Sequence, residues 1–585
     1  MMETEISRIV NACFLKSAHD VREYLENHFG IYVALENDNL LYDEYLMRII
    51  NSVDERYLDY HGIEEISGLP SPIIRLFSDV DKEMIYYDSC SRFYSRQIYY
   101  PCHAKKEVEP EFLREFLEEI ASIDPKSFNS DECYLILSGI FEDYGSLMSV
   151  NGGINSLFEL TKLRAGLATA IYCVSRERGD HADEGVVSDP VLSCSFDFLG
   201  IKDFKFLKEN STDLKRETAA SLFIDLLREN VLDEFLSELG ISRCNLIFSG
   251  GRHLHMFLPN TESVRKSIET FILKLNDWLV RLVGETLFVS YGTCALSSLE
   301  LGKIRGEDYY LNIFIKIANH KALMESHRYS AAQIQCMNSG DYIKGPNLDI
   351  IVNSFDNDKY YVVTDKKKEN SIEIIEGRFI YASDTADVTD SVRVYESNQS
   401  VRKLRAPTIR IWHQRLCKSD IDISKGNFWL IRLDIDGFNT HMLGNPGGYI
   451  HPNEKMELSK HLAFFMKRDV SILADMLSDK ENVIFTIHEG ADDLFILMSE
   501  EIMNEFVKKL VLHYKKFTGG CLSFCAGISK YNHEKGFAYS CGMAQHLMDR
   551  AKKNPGKDSV VISADSAMMK WKDYFENVDN TEASF

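Results

Sequence analysis

The sequence is short of positive charge, of proline and of long apolar stretches. Its 66 Lys and Arg stand against 89 Asp and Glu, a formal net charge of −23. So acidic a chain does not bind a polyanion through its overall charge; nucleic acid needs a local cluster of Lys and Arg from which counterions are released. Only 12 of 585 residues are proline while 45% are apolar, which excludes a disordered chain and leaves a folded one too long for a single core. No apolar run reaches the ~18 residues that cross a bilayer, and the start MMETEISRIV has no signal-peptide pattern. No membrane association and a cytoplasmic location are therefore expected. The 13 cysteines are odd in number and include no C-x-x-C, which argues against a disulfide framework or a zinc ribbon and for reduced thiols.

What is present is local and acidic. In VIFTIHEGADDLFILM (Val483 to Met498) two apolar β-type runs flank a turn of Glu489, Gly490, Ala491, Asp492 and Asp493. Upstream, the strand FWLIRLDIDGFN ends in Asp434 and Asp436. A bare Asp-Asp pair is common in solvated turns. Carboxylates on two neighbouring strands that converge on one point are instead how a polymerase-type palm holds two Mg²⁺ or Mn²⁺ ions. Asp434 and Asp492 are the expected bridging ligands and Asp493 assists; Asp436, expected to turn away, ranks second. Gly437, Phe438 and Asn439 form a turn whose backbone N–H groups suit a phosphate, although a plain turn explains them as well.

An internal repeat stands beside this motif. Asp197, Ser221 and the Gly250-Gly251 turn recur as Asp434, Ser459 and the Gly490-Ala491 turn, with aspartate-to-serine spacings of 24 and 25 residues and aspartate-to-glycine spacings of 53 and 56. Self-similarity at such a period signals a duplicated unit. The copies differ in chemistry, because Arg252 and His253 stand where the second copy has Asp492 and Asp493. One copy suits metals, the other a phosphate.

These residues resemble the GGDD-type palm of the large polymerase-like subunit of type III CRISPR effector complexes, here with a GADD turn. The likeness extends to INSLFELTKLRAGLATAIYCV, CSFDFLGIKDFKF, NLIFSGGRHLHMFLPNT, LSFCAGIS and AYSCGMAQHLMDRAKK, in the family's order. It implies an α+β multidomain fold. A helical HD-like domain would span 1–115 and a helical connector 116–190. A first ferredoxin-like palm without metal carboxylates in its turn would span 191–340, a small β-rich insertion without the family's zinc ribbon 341–425, and a second palm 426–585. The family's carboxy-terminal helical domain would be missing or vestigial.

The resemblance also implies roles. Ser459 and Ser221 match the adenine-contacting serines, and one of Lys552 and Lys553 would reach the triphosphate. Gly250, Gly251 and Arg252 would line the first nucleotide, Gly490 and Ala491 the second; His488 reads as wall. His19, Asp20, His61 and Asp79 fall at HD-nuclease spacings, but the flanking pattern and a second histidine are lacking, so nuclease activity is not expected. The basic stretch Arg402, Lys403, Arg405, Arg410 and Arg415 is a candidate nucleic-acid contact, or a solvated linker.

The implied function is a cyclic oligoadenylate synthase that uses ATP and works in a guide CRISPR RNA complex when target RNA pairs. Its neighbours would be guide-tag-binding and small helical subunits. A silent scaffold, or a synthase joining AMP to another small molecule, are the alternatives.

Overall fold

The computed structural model describes residues 4–582 apart from 36–39, 42, 59, 74–84, 92, 94–97, 154, 180–188, 206–213, 298–306, 341, 344, 357–358, 387–388, 398–405, 414, 418–422, 424–425, 438–451, 480–482, 491–492 and 564. It is an α+β chain of several cores, with two ferredoxin-like palms, a helical amino-terminal region and a β-rich sheet between the palms.

Helix α1 (Thr4–Phe29) carries Ile6, Ile9, Val10, Phe14, Val21 and Leu25 at three- and four-residue spacings, and all are buried. Helices Pro110–Ala121 and Asp131–Gly145 and helix α2 (Leu157–Arg178) pack around it, with Phe14 edge-on to Phe141 at 5.0 Å between centroids. Helices on both sides of residue 115 thus share one core. A short ribbon, β1 (Ile66–Gly68) with β2 (Met148–Val150), closes this region.

The first palm runs β3 (Val191–Leu199), α3 (Leu214–Glu238), β4 (Leu246–Gly250), β5 (His253–Pro259), α4 (Glu262–Val283) and β6 (Phe288–Leu296), followed by α5 (Glu307–Ser326). Its antiparallel sheet has the order β4-β5-β3-β6. Next comes a five-stranded sheet of β7 (Tyr360–Thr364), β8 (Ile372–Ile375), β9 (Arg378–Ser383), β10 (Arg393–Ser397) and β11 (Ile409–Ile411), in the order β11-β10-β7-β9-β8.

The second palm runs β12 (Phe428–Ile435), α6 (Pro452–Phe464), β13 (Ile484–Glu489), β14 (Asp493–Ser499), α7 (Met503–Phe517), β15 (Phe524–Lys530) and α8 (Gly536–Ala551). β16 (Ser559–Ile562) and β17 (Met569–Lys570) extend its sheet to β13-β14-β12-β15-β16-β17. The first four strands repeat the first palm's order. So does one packing device. A Cβ on Gly292 of β6 would strike the Ile317 carbonyl of α5, and one on Gly527 of β15 would strike Ala544 and Met548 of α8. In each palm a glycine lets the last helix lie directly on the fourth strand.

The palms face each other reciprocally. Ser221 on α3 donates to the Ile487 carbonyl of the second palm's hairpin at 3.2 Å, and Ser459 on α6 donates to the Ser249 carbonyl of the first palm's hairpin at 3.2 Å.

Candidate active site

Asp434 lies near the end of β12 and Asp493 begins β14, and the ladder pairs them directly. Two carboxylates this close repel unless cations intervene. Asp434 meets Lys552, Oδ2 to Nζ 2.8 Å, at the C-terminal end of α8, where the helix dipole favours a cation. Burial raises the Asp434 pKa, and Asp493 adds to that rise against the pull of Lys552.

Asp493 is neutralised differently. Arg432 forms an ion pair with its Oδ2, and His488 Nε2 lies 3.2 Å from its Oδ1. Burial alone would raise its pKa, but His488, Arg432 and Lys202 together hold it well below the usual carboxylate range. Behind His488 stands Lys205, Nζ 2.9 Å from Nδ1. Burial, with the Lys205 ammonium, pushes His488 down to about 4, so it meets Asp493 as a neutral N–H donor at pH 7. Lys205 itself is pushed down to about 8, chiefly by burial.

The acidic turn is closed by the Gly490 N–H on the Asp493 carbonyl at 2.8 Å, and a Cβ on Gly490 would strike the Asp493 carboxylate. Asp492 and Ala491 of this turn, and Phe438 and Asn439 of the turn after β12, lie outside the described residues. Gly437 has a φ of +72°, where glycine is the easy residue.

Asp436 is turned away from Asp434. Its Oδ2 accepts from Ser523 Oγ at 2.7 Å and from the Asp558 N–H at 2.9 Å, tying the end of β12 to the loop before β16. Regular alternation would have kept residues two apart on one face; the separation arises because β12 ends at Ile435. Lys553, beside Lys552, is exposed.

In the first palm the matching aspartate is occupied by side-chain donors. Asp197 Oδ1 lies 2.7 Å from both His253 Nδ1 and Lys321 Nζ, and Arg252 Nε is 4.0 Å from Oδ2. Burial opposes, but His253 and Lys321 lower the Asp197 pKa. Lys321 on α5 takes the part that Lys552 plays at the end of α8. Arg252 is half exposed at the rim, after Gly250 and Gly251.

Away from the palms, Asp20 accepts from Tyr60 Oη at 2.8 Å and lies 3.6 Å from Lys16 and 4.0 Å from Arg164. Arg164 is fully buried and bonds Asp54 at 2.6 Å. His19 is buried, His61 is exposed, and Asp79 lies outside the described residues. Among the described residues no three His, Cys, Asp or Glu side chains form a metal-binding group. Of the basic stretch, Arg410 is buried against Glu396 at 3.1 Å and Arg415 pairs with Asp475, whereas Arg402, Lys403 and Arg405 lie outside the described residues. As a nucleic-acid contact the stretch loses Arg410, whose charge is neutralised inside the protein. No helix among the described residues is long and apolar enough to cross a membrane.

Comparison with known proteins follows this geometry. Residues 190–340 match the Csm1 subunit domain B, and residues 428–561 match the Cas10/Cmr2 second palm domain. A "CRISPR system single-strand-specific deoxyribonuclease Cas10/Csm1 (subtype III-A)" from Enterococcus italicus is 24% identical over 93% of this chain and 80% of its own length. Both palms, and most of the chain's length, thus resemble the Cas10/Csm1 family. A Mycobacterium tuberculosis protein of the same description is 25% identical over 72% of the chain, which spans 61% of that relative. The fold matches a Csm1-Csm4 cassette in complex with pppApA at a TM-score of 0.76, with 15% identity over 98% of this chain and 88% of that one. It also matches a cassette in complex with cA4 at 0.75, with 16% identity over 98% and 87%.

Four residues of this site escaped the reading of the sequence as working groups: Lys205, Arg432 and His488 around Asp493, and Lys321 on Asp197. For Lys321 the repeat held the signal, since the last helix of each palm carries a lysine toward its end.

Proposed function

We propose that this chain joins ATP into cyclic oligoadenylates as a subunit of a type III CRISPR ribonucleoprotein, switched on when target RNA pairs with the guide. One observation carries this reading: Asp434, paired with Asp493 and covered by Lys552, at the junction of two palms that hold each other through Ser221 and Ser459. Matched cassettes in complex with pppApA and cA4 support a product of this class. The cassettes' Csm4 supports a similar neighbour for this chain; guide RNA and small helical subunits complete the proposed complex.

The donor set fits a divalent cation. Asp434 sits beside the carboxylate of its ladder partner Asp493, a place where positive charge is favoured, and Lys552 supplies such a charge. Asp434 and Asp492 would hold Mg²⁺ or Mn²⁺, with Asp493 assisting; two such ions activate a 3′-hydroxyl and steady a triphosphate. The 3′-hydroxyl of one ATP attacks the α-phosphorus of the other, its bond to pyrophosphate breaks, and a 3′–5′ phosphodiester forms. Lys552 and Lys553 attract the attacked triphosphate. Gly437, Phe438, Asn439, Gly490 and Ala491 bring backbone close to it. Ser459 and Ser221 border the two adenines, and Gly250, Gly251 and Arg252 border the nucleotide that presents its 3′-hydroxyl.

Incubating the assembled complex with labelled ATP, Mn²⁺ and matched target RNA, and resolving products by mass, tests the reading. Cyclic oligoadenylates with pyrophosphate are expected, and none from an Asp492→Ala, Asp493→Ala variant that still assembles. Full synthesis by that variant would move the active site elsewhere.

A scaffold role is favoured by a different observation: both described carboxylates already carry internal cations, Lys552 on Asp434 and Arg432 on Asp493. No product from the wild-type complex under the same conditions would support it.

A further inference from the structure

A buried lysine is the least comfortable residue at the junction of the palms. Lys205 closes the short helix Ile201–Lys205 that follows β3, and it is 7% exposed. A buried ammonium needs an acceptor, and the bond recorded for Lys205 crosses to the other palm, to His488 Nδ1 at 2.9 Å. An ammonium has donors only. Nδ1 therefore accepts, the ring proton sits on Nε2, and Nε2 donates to Asp493 Oδ1 at 3.2 Å.

The chain of contacts continues into the acidic turn. Arg432 holds the other oxygen of Asp493, the Asp493 carbonyl closes the turn on the Gly490 N–H, and Asp493 is the ladder partner of Asp434. One residue before His488, the Ile487 carbonyl accepts from Ser221, also of the first palm. Two groups of the first palm thus grip adjacent residues at the base of the second palm's acidic turn.

We propose that Lys205 is a positioning residue that acts across the palm junction: through His488 and Asp493 it sets the acidic turn against Asp434, so the second palm binds metal well only while the first palm holds it. This rests on the metal reading of Asp434 proposed above. The structural alternative is that Lys205 merely fastens the two palms together.

Mn²⁺ titration of the full chain, followed by electron paramagnetic resonance and without nucleotide, separates these. Support from outside the ligand set is typically worth about 10-fold or more in metal affinity. Lys205→Met, which keeps the length and removes the donor, is expected to weaken Mn²⁺ binding by about that factor. His488→Phe should do the same. The double variant should be no weaker than His488→Phe alone, because Lys205 acts through the ring. ATP turnover should fall with little change in KM. Lys205→Leu, smaller and likewise without a donor, serves if the methionine variant fails to fold.

Wild-type Mn²⁺ affinity in the folded Lys205 variant would overturn the proposal. Additive losses in the double variant would overturn it too, since Lys205 would then act independently of His488. Asp434→Ala is the reference. If it binds Mn²⁺ like the wild type, the metal reading itself fails; if it loses Mn²⁺ while Lys205→Met keeps it, only the cross-palm inference fails.

Discussion

At the scale of single residues the site is organised around carboxylates that already hold cations. Lys552 occupies the Asp434 oxygen that faces it, so an arriving divalent ion competes with an ammonium. Both partners of that pair are roughly a third exposed, which keeps the competition modest, ~0–1 kcal/mol for such pairs. Lys552→Ala is therefore expected to tighten Mn²⁺ binding by a few-fold while raising the KM for ATP, because the ammonium that attracts the triphosphate is gone. Titration of Mn²⁺ with and without ATP checks both signs; weaker Mn²⁺ binding would mean that Lys552 supports the site instead of covering it. The aspartates were legible in the sequence, because strand and turn stand at repeat spacings, and Lys552 through the resemblance. Lys205 was not, since nothing local to a lysine says which distant imidazole it will meet.

At the scale of elements, the second palm's helix α6 is carried into the next helix by a π-turn over Phe465–Asp469. Asp469 is buried there, bonded by Arg468 at 2.6 Å, while its Oδ2 has no hydrogen-bond partner. Burial pushes its pKa up to about 7 against the pull of Arg468. A carboxyl raised in the folded state binds its proton more tightly there than in the unfolded chain. Its stabilising contribution is full below pH 4 and is lost as pH rises through about 7. Asp469→Asn should therefore gain on the wild type at pH 8 by on the order of 4 kcal/mol, and by much less at pH 5. Urea unfolding at the two pH values measures the difference; an equal gain at both would remove Asp469 from the pH dependence. The strands beside the acidic turn were readable as apolar β-type runs that flank turn residues. The π-turn was not, because its residues read as ordinary helix.

At the scale of the molecule, the amino-terminal helices are tied to one another through a buried ion cluster. Arg164 on α2 meets Asp54 at 2.6 Å and Ser17 at 2.5 Å, with its guanidinium 4.6 Å from the Tyr60 ring centroid. Asp20 joins the same cluster, so its carboxylate faces Lys16, Tyr60 and Arg164. Removing one partner of a buried pair leaves the other charge uncompensated, at ~3–5 kcal/mol. Asp54→Ala should accordingly lower the stability of the amino-terminal helices by about that much, seen as early loss of amide protection in α1 and α2. His19→Ala with Asp20→Ala should leave single-stranded DNA intact as before; metal-dependent cleavage that vanishes in this variant would show a working nuclease.

By itself the sequence determined that the chain folds into several cores, and that a unit with an acidic turn occurs once and its cationic counterpart once. Those properties follow from local periodicity, turn chemistry and repeat spacing, which are written in neighbouring residues. Tertiary structure decided what each charge meets: Lys552 on Asp434, Lys321 and His253 on Asp197, Arg432 and the Lys205–His488 pair on Asp493, and Arg410 inside against Glu396. An ion pair depends on a distance of a few ångströms between residues up to hundreds of positions apart, and the packing of two palms against each other sets that distance.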